Sequence, residues 1–248
     1  MIAAFANGEG RKAGGGDKNP ARDIGGIIMA RRTCIAALVV ICGLLSGSLV
    51  SCGADKMGPG TAANPGEELA RLRGLLKEPK ELPDGFSARQ RDGWKTPFRP
   101  VGSDCRLVLD TAGGSPPQWA PGARVAVTYP GDKLGELAGV GLASYTGDDA
   151  KLHFAELTKA LGSCPVAASP RAGKITSFRV STLKLGGVGD EVQARRLRGR
   201  LNGYPYEMHL VFARAGSTLV SLVHAGISRV DVGRTRQLAH FLLDRAGA

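Results

Sequence analysis

Several signatures that mark enzymes are missing from this chain of 248 residues. There is no Gly-x-Ser-x-Gly elbow, which removes the strained nucleophile turn of an α/β-hydrolase. There is no phosphate-binding loop and no dinucleotide fingerprint after a strand, which removes those two ways of holding a nucleotide. No internal repeat is visible, so solenoids and propellers drop out as well. Cysteine is scarce, with five in all, and their positions carry more information than any catalytic pattern does.

Three of the five lie in one apolar stretch. Met29-Ala30-Arg31-Arg32 is a short basic segment, Cys34 to Leu45 is an apolar run, and small residues follow up to Ser51. That is the order of a secretory signal. It closes on Leu49-Val50-Ser51-Cys52, which resembles the lipobox of bacterial lipoproteins: an aliphatic residue, a small residue, then the cysteine. The resemblance implies diacylglycerol on the Cys52 thiol and cleavage before it. Two or more acyl chains, at about 0.8 kcal/mol per buried methylene, anchor a protein stably where one chain does not. The competing reading is an uncleaved signal anchor, because Cys34 to Ser51 is also about long enough to span a bilayer. Either way the remainder is expected outside the cytoplasm, on the outer leaflet of the cell membrane. Residues 1–28 are Gly-rich and unpatterned, and a signal peptide begins at a start codon. The expectation is therefore that Met29 is the true start and that 1–28 is not translated. The expected organisation is a signal peptide at 29–51, a flexible tether at 52–66 and one domain at 67–248. The tether would reach about 20 Å at random-coil scaling.

From Cys52 onward the chain has 27 basic and 19 acidic side chains, a net charge of +8 against +11 for the whole sequence. Outside the cytoplasm such a surface meets anionic envelope polymers or lipid head groups rather than nucleic acid. It also serves as plain solubility charge. Arg exceeds Lys, and Ala and Gly abound, as in proteins of GC-rich actinobacteria. Cys105 and Cys164 remain after the signal and the lipidated cysteine are set aside. In an oxidising compartment two such residues read as one disulfide. Closing a 59-residue loop, it would contribute about 4 kcal/mol. The alternative, a metal pair, lacks a Cys or His at ligand spacing beside either residue.

Periodicity outlines the domain. Glu67 to Lys77 reads as an amphipathic helix, with Leu69, Leu72, Leu75 and Leu76 on one side and Pro79 ending it. Residues 79–122 are rich in Pro and Gly. Val125, Val127 and Tyr129 alternate in a strand, and Leu137 to Tyr145 is a second, weakened by Gly139 and Gly141. Asp148 is placed to cap a helix reaching Leu161, with Ala150, Phe154, Leu157 and Leu161 as its buried stripe. Strands follow at Ile175 to Val180 and Glu191 to Leu201. Asn202-Gly203 signals a type I′ hairpin into Tyr204 to Ala213. Ala215-Gly216 turns the chain again into Ser217 to His224, and Asp231 begins a last helix through Leu243. The two turns fix register, and register fixes faces. Leu197, Tyr206, Met208, Leu210, Phe212, Leu219 and Val223 fall on one face. Arg196, Arg198, Arg200, Glu207, His209, Thr218 and His224 fall on the other, among Val211, Val220 and Leu222. This is an antiparallel meander packed with helices, an α+β domain.

Tyr145 and Gly147, then Ala150, Phe154, Leu157, Leu161 and Cys164, then Gly189-Asp190-Glu191, then Arg214, Gly216, Leu219, Val220 and Gly226 form a spaced pattern. It resembles actinobacterial envelope lipoproteins related to the extracellular sensor domain of PknH-type kinases and to LpqN-type lipoproteins. The similarity runs from about Leu82 to the C-terminus. It implies a Mog1/PsbP-like α/β sandwich, an extracytoplasmic location, and sensing of a ligand or partner without catalysis. The chain has no kinase domain, so signalling within one polypeptide does not carry over.

Three constellations are candidates for chemistry. Arg196, Arg198 and Arg200 alternate on one strand, about 7 Å apart, and guanidinium forks at that spacing suit phosphates or carboxylates. The plainer reading is a solvated face with Arg198 paired across the strand to Glu207. Glu207, His209 and His224 come within reach of one another and form a minimal metal-ligand set, although no metal is expected. Ser217, Ser221 and His224 share a strand, but no acid stands behind the histidine. His153 and His240 are expected at helix surfaces. The resulting expectation is a non-catalytic binding or sensing module. It takes a small apolar or anionic ligand in a cleft between sheet and helices and needs no cofactor beyond the lipid on Cys52. The alternatives are a protein-interaction accessory of an envelope complex and, more remotely, a hydrolase.

Overall fold

The Asn202-Gly203 turn forms as its chemistry requires. Among the described residues Asn202 is the one non-glycine residue with positive φ, at 52°, and Gly203 follows at 88°. Both central residues of a type I′ turn need that sign. The computed structural model describes residues 64–77, 82–115, 121–171, 174–189, 191–227 and 229–247. The signal segment, Leu49-Val50-Ser51-Cys52, Pro79 and Asp190 lie outside them.

Around this turn an eight-stranded sheet is built, with every pairing antiparallel. The strands are β1 (Arg91–Asp92), β2 (Ala123–Pro130), β3 (Leu137–Ser144), β4 (Val166–Arg171), β5 (Lys174–Thr182), β6 (Val192–Leu201), β7 (Tyr204–Ala215) and β8 (Thr218–Ile227). Their spatial order is β1-β2-β3-β8-β7-β6-β5-β4. The expected register holds, with Leu201 opposite Tyr204 and Arg198 opposite Glu207. The helices are α1 (Pro65–Leu76), α2 (Ser103–Ala112), α3 (Asp149–Gly162) and α4 (Val232–Ala246). Helix α1 starts two residues earlier than expected. Pro65 is pre-set for the first helical turn, and Asn64 Oδ1 accepts from the Gly66 N–H at 3.0 Å.

The sheet is covered on both faces. Helices α2 and α3 lie over Leu197, Met208, Leu210, Phe212 and Val223. Helices α1 and α4 lie over Val140, Leu142, Val211, Val220 and Leu222. The period-2 assignment of faces was therefore right, but the polar face is not solvated. His209 and His224 are wholly buried, and Glu207 nearly so. Apolar residues on that face admitted a second helix layer, and the charged residues among them had to find partners inside it.

Other differences have local causes. Helix α2 falls in the Pro/Gly-rich stretch, where a ten-residue helix beginning after Gly102 without a side-chain cap gave little signal. Strand β4 is short and lies at the sheet edge. Asp148 occupies the N-cap position of α3 without a side-chain cap bond. His153 is buried against Tyr145, ring centroids 4.8 Å apart, and is not a surface residue. Gly139 and Gly141, which weaken β3 on propensity, are contact points. A Cβ on Gly139 would lie 2.5 Å from Trp94 Cβ, and one on Gly141 would lie 2.9 Å from Gly114 Cα.

Candidate functional site

Those two glycines let Trp94 and Gly114, both at the edge of a cleft, lie close to β3. The segment from Gly93 to Arg99 runs across the β2–β3 end of the sheet, pressed in by close approaches. A Cβ on Gly93 would meet Ala126 Cβ at 2.6 Å. Thr96 Oγ1 donates to the Leu109 carbonyl of α2 at 3.2 Å. Phe98 stacks on Phe178 of β5, centroids 4.9 Å apart and rings 7° from parallel. Trp94 is buried beneath. Between this segment, the end of α2 and the start of β2 lies an open cleft of about 840 Å³. Trp94, Phe98 and Ala126 give it apolar wall, and Lys95, Arg99 and Arg124 line it against a single carboxylate, Asp110. A cleft of this size with a net positive lining suits an anionic molecule bearing an apolar part.

Cys105 of α2 and Cys164, just past α3, form a disulfide with Cα atoms 5.2 Å apart. Both residues are buried in the α2–α3 layer. The bridge ties together the two helices on the face that carries the cleft.

The arginine stripe is placed as expected on β6. Arg198 Nε donates to Glu207 Oε2 at 2.7 Å, and Arg196 Nε lies 3.3 Å from Glu207 Oε1. Arg200 Nη1 donates to the Gly203 carbonyl at 2.8 Å, back across its own turn. Two of the three thus share one carboxylate: the Arg198–Glu207 pair forms, but on a face whose Glu207 is buried rather than solvated.

Glu207, His209 and His224 also meet, but not around a common point. His209 and His224 are cross-strand neighbours on β7 and β8. The Nδ1 atoms of both approach Thr235 Oγ1 of α4, at 2.7 and 2.8 Å. The Nε2 atoms point to different carboxylates: His209 to Glu207 Oε1 at 2.8 Å, His224 to Glu136 Oε1 at 3.1 Å. A metal needs its ligands convergent, and among the described residues no group of His, Cys, Asp and Glu is so arranged. Glu136 in turn accepts from Arg234 Nη1 of α4 with both oxygens at 2.9 Å, and Asp132 accepts from the same nitrogen at 3.0 Å. Burial pushes the His209 imidazole down to about 4, against the opposing pull of Glu207. Burial lowers His224 as well. Glu136 and Thr235 escaped the sequence reading. The first lies in a loop, and the second is a helix residue whose only signal is its place one turn after Asp231.

The serine and histidine of the hydrolase alternative are separated by the pleat. His224 faces α4, whereas Ser221 Oγ lies on the other side and donates to the Gly141 carbonyl at 3.3 Å. An odd number of residues apart on one strand, they point to opposite faces and form no dyad.

No known family model matches the chain, and no curated protein matches its sequence. The fold does have a counterpart among solved structures. The crystal structure of the extracellular domain of PknH from Mycobacterium tuberculosis aligns over 72% of this chain and 95% of that one, with a TM-score of 0.53 at 13% identity. The α+β architecture is therefore similar to that of the PknH extracellular domain. Among the described residues no helix is long and apolar enough to cross a membrane.

Proposed function

We propose that this protein is a non-catalytic binding or sensing module of the bacterial envelope, held outside the cytoplasm by lipid on Cys52. The observation that carries the reading is the cationic, part-apolar cleft of about 840 Å³ between sheet and helix. It is set in a fold shared with an extracellular sensor-kinase domain. The Leu49-Val50-Ser51-Cys52 sequence and the Cys105–Cys164 disulfide support the compartment. The ligand is a small anionic molecule with an apolar portion that lies against Trp94 and Phe98 while Lys95, Arg99 and Arg124 meet its charge.

Native mass spectrometry of the full chain purified from its cell membranes tests the cleft. A retained anionic small molecule, lost when Arg99 and Arg124 are both replaced by Glu, supports the reading. A chain carrying nothing, or carrying the same molecule after those replacements, overturns it. Metabolic labelling with an alkyne fatty acid tests the anchor: the wild-type chain takes the label into the membrane fraction, and Cys52→Ser does not.

A further inference from the structure

The buried histidines have too few protons for their contacts. Five contacts form one line: Glu207 to His209, His209 to Thr235, Thr235 to the Asp231 carbonyl, Thr235 to His224, and His224 to Glu136. Their distances are 2.8, 2.7, 2.9, 2.8 and 3.1 Å. Each needs one hydrogen. Two neutral imidazoles and one hydroxyl supply three, and ionised carboxylates and a carbonyl supply none. Whichever tautomers are drawn, two contacts in the neutral line set lone pair against lone pair. Arg196 Nε, 3.3 Å from both His209 Nε2 and Glu207 Oε1, softens one such opposition. Every proton taken up closes one contact.

Opposing uptake are burial and mutual repulsion. Both rings are fully enclosed, and their centroids lie 6.2 Å apart. The second proton would place two cations at that spacing in the core, so the pair takes one proton before the other. Charged groups reach the line from each side. Arg196, Arg198 and Glu207 come from β6 and β7, Asp132 and Glu136 from the loop between β2 and β3, and Asp231 and Arg234 from α4. Phe86 stands edge-on to His224 at 5.4 Å.

We propose that the Glu207–His209–Thr235–His224–Glu136 line is a proton-binding site, and that its protonation is passed to α4 through Thr235, the helix residue that both rings touch. The surroundings give the sense of the response. Burial makes the charged rings costly, so the protein takes up the proton in acid rather than at neutrality. The opened chain, whose imidazoles are solvated, binds the proton more readily than the closed one, so acid favours loosening of α4 even though a proton held by the closed line completes one of its contacts.

The test follows the imidazole carbon-bound protons of the full chain by NMR from pH 7.5 to 3, with hydrogen exchange on α4 over the same range. The wild type is expected to show His209 and His224 shifting together in a first step well below the ordinary imidazole value near 6.5. The protection factors of α4 should fall by about tenfold per pH unit between about pH 6.5 and the onset of that step, where the opened chain is protonated and the closed one is not, as linkage to one proton requires. In Thr235→Val, which keeps the shape and removes the hydroxyl, the two rings titrate separately and α4 protection no longer follows them. Rings that titrate one by one at the ordinary imidazole value near 6.5 overturn the proposal, and that measurement on the wild type holds even if the variant fails to fold. So does α4 protection whose pH dependence is the same in wild type and Thr235→Val.

Discussion

On one side of the sheet, α2 and α3 lie over Leu197, Met208, Leu210, Phe212 and Val223 and are joined by Cys105–Cys164. On the other, α4 lies over Val211, Val220 and Leu222 with two buried histidines and two buried glutamates among them. Both layers bury helices on the same strands, yet they hold by different physics. Apolar contact is non-directional and indifferent to pH, so the first layer needs a covalent tie to fix one helix against the other. Hydrogen bonds are directional. In the second layer Thr235 must stand between two rings, and that fixes the rotation of α4 without a crosslink. The first layer therefore holds the redox-sensitive link of the molecule, and the second holds its paired buried histidines, while on the first side burial lowers the pKa of one imidazole, His153 of α3.

The comparison is broken most strongly at the disulfide. Replacing Cys105 and Cys164 together by Ser, or reducing the bridge, should lower stability by about 4 kcal/mol for a loop of this length. A denaturant midpoint with and without reductant measures it. The loss should be the same at pH 7.5 and pH 5, since neither the bridge nor the serines that replace it titrate between those values. A loss that changes with pH would join two layers that are here kept apart.

The acid side gives the next effect. His209 stands at about 4 in the fold against an ordinary value near 6.5 in the unfolded chain. Between those values the unfolded chain binds more protons. Stability is thus fully present above pH 6.5 and lost as the pH falls toward 4, by about 3 kcal/mol for this one ring. His209→Gln should flatten that slope. The measurement is stability against pH for the two chains, and equal slopes would refute the assignment.

A smaller effect is expected where the cleft meets the sheet. Gly139→Ala would bring a Cβ within 2.5 Å of Trp94 Cβ and 3.6 Å of Val223 Cβ. Something must shift, and overpacking of this kind costs about 1–3 kcal/mol. The segment that moves is the one from Gly93 to Arg99, so a lowered melting temperature should come with altered Trp94 fluorescence. A fall in stability with no spectral change would place the strain elsewhere.

What could be read from residues alone divides along the same line. Asn202-Gly203 and the alternation of Met208, Leu210 and Phe212 specify strand pairing and face by local rules, and both stand in the structure. The same rules put His209, His224 and Glu207 on one face. They could not say that α4 would cover it, because Thr235 is brought there by tertiary packing of a helix 11 residues beyond His224 in sequence. The cleft was less legible still. Its lining comes from a segment without periodicity, and Trp94 and Gly114 in that lining are packed against Gly139 and Gly141, which on propensity alone argue only for a poor strand. The disulfide was legible because a count of cysteines does not depend on the fold.

The smallest expected effect sharpens the boundary between the buried line and the surface. Arg198 donates to Glu207 Oε2 at 2.7 Å, but its side chain is 53% exposed. An ion pair with so much solvent contact is worth less than about 1 kcal/mol. Glu207 would also keep His209 at 2.8 Å and Arg196 at 3.3 Å after Arg198 is removed. Arg198→Gln should therefore move a denaturation midpoint by less than about 0.5 kcal/mol and leave the acid slope unchanged. A larger loss, or a shifted slope, would mean that the line does not end at Glu207. The arginine on the rim would then belong to the same charge system as the rings in the core, and the surface stripe and the buried site would have to be treated as one.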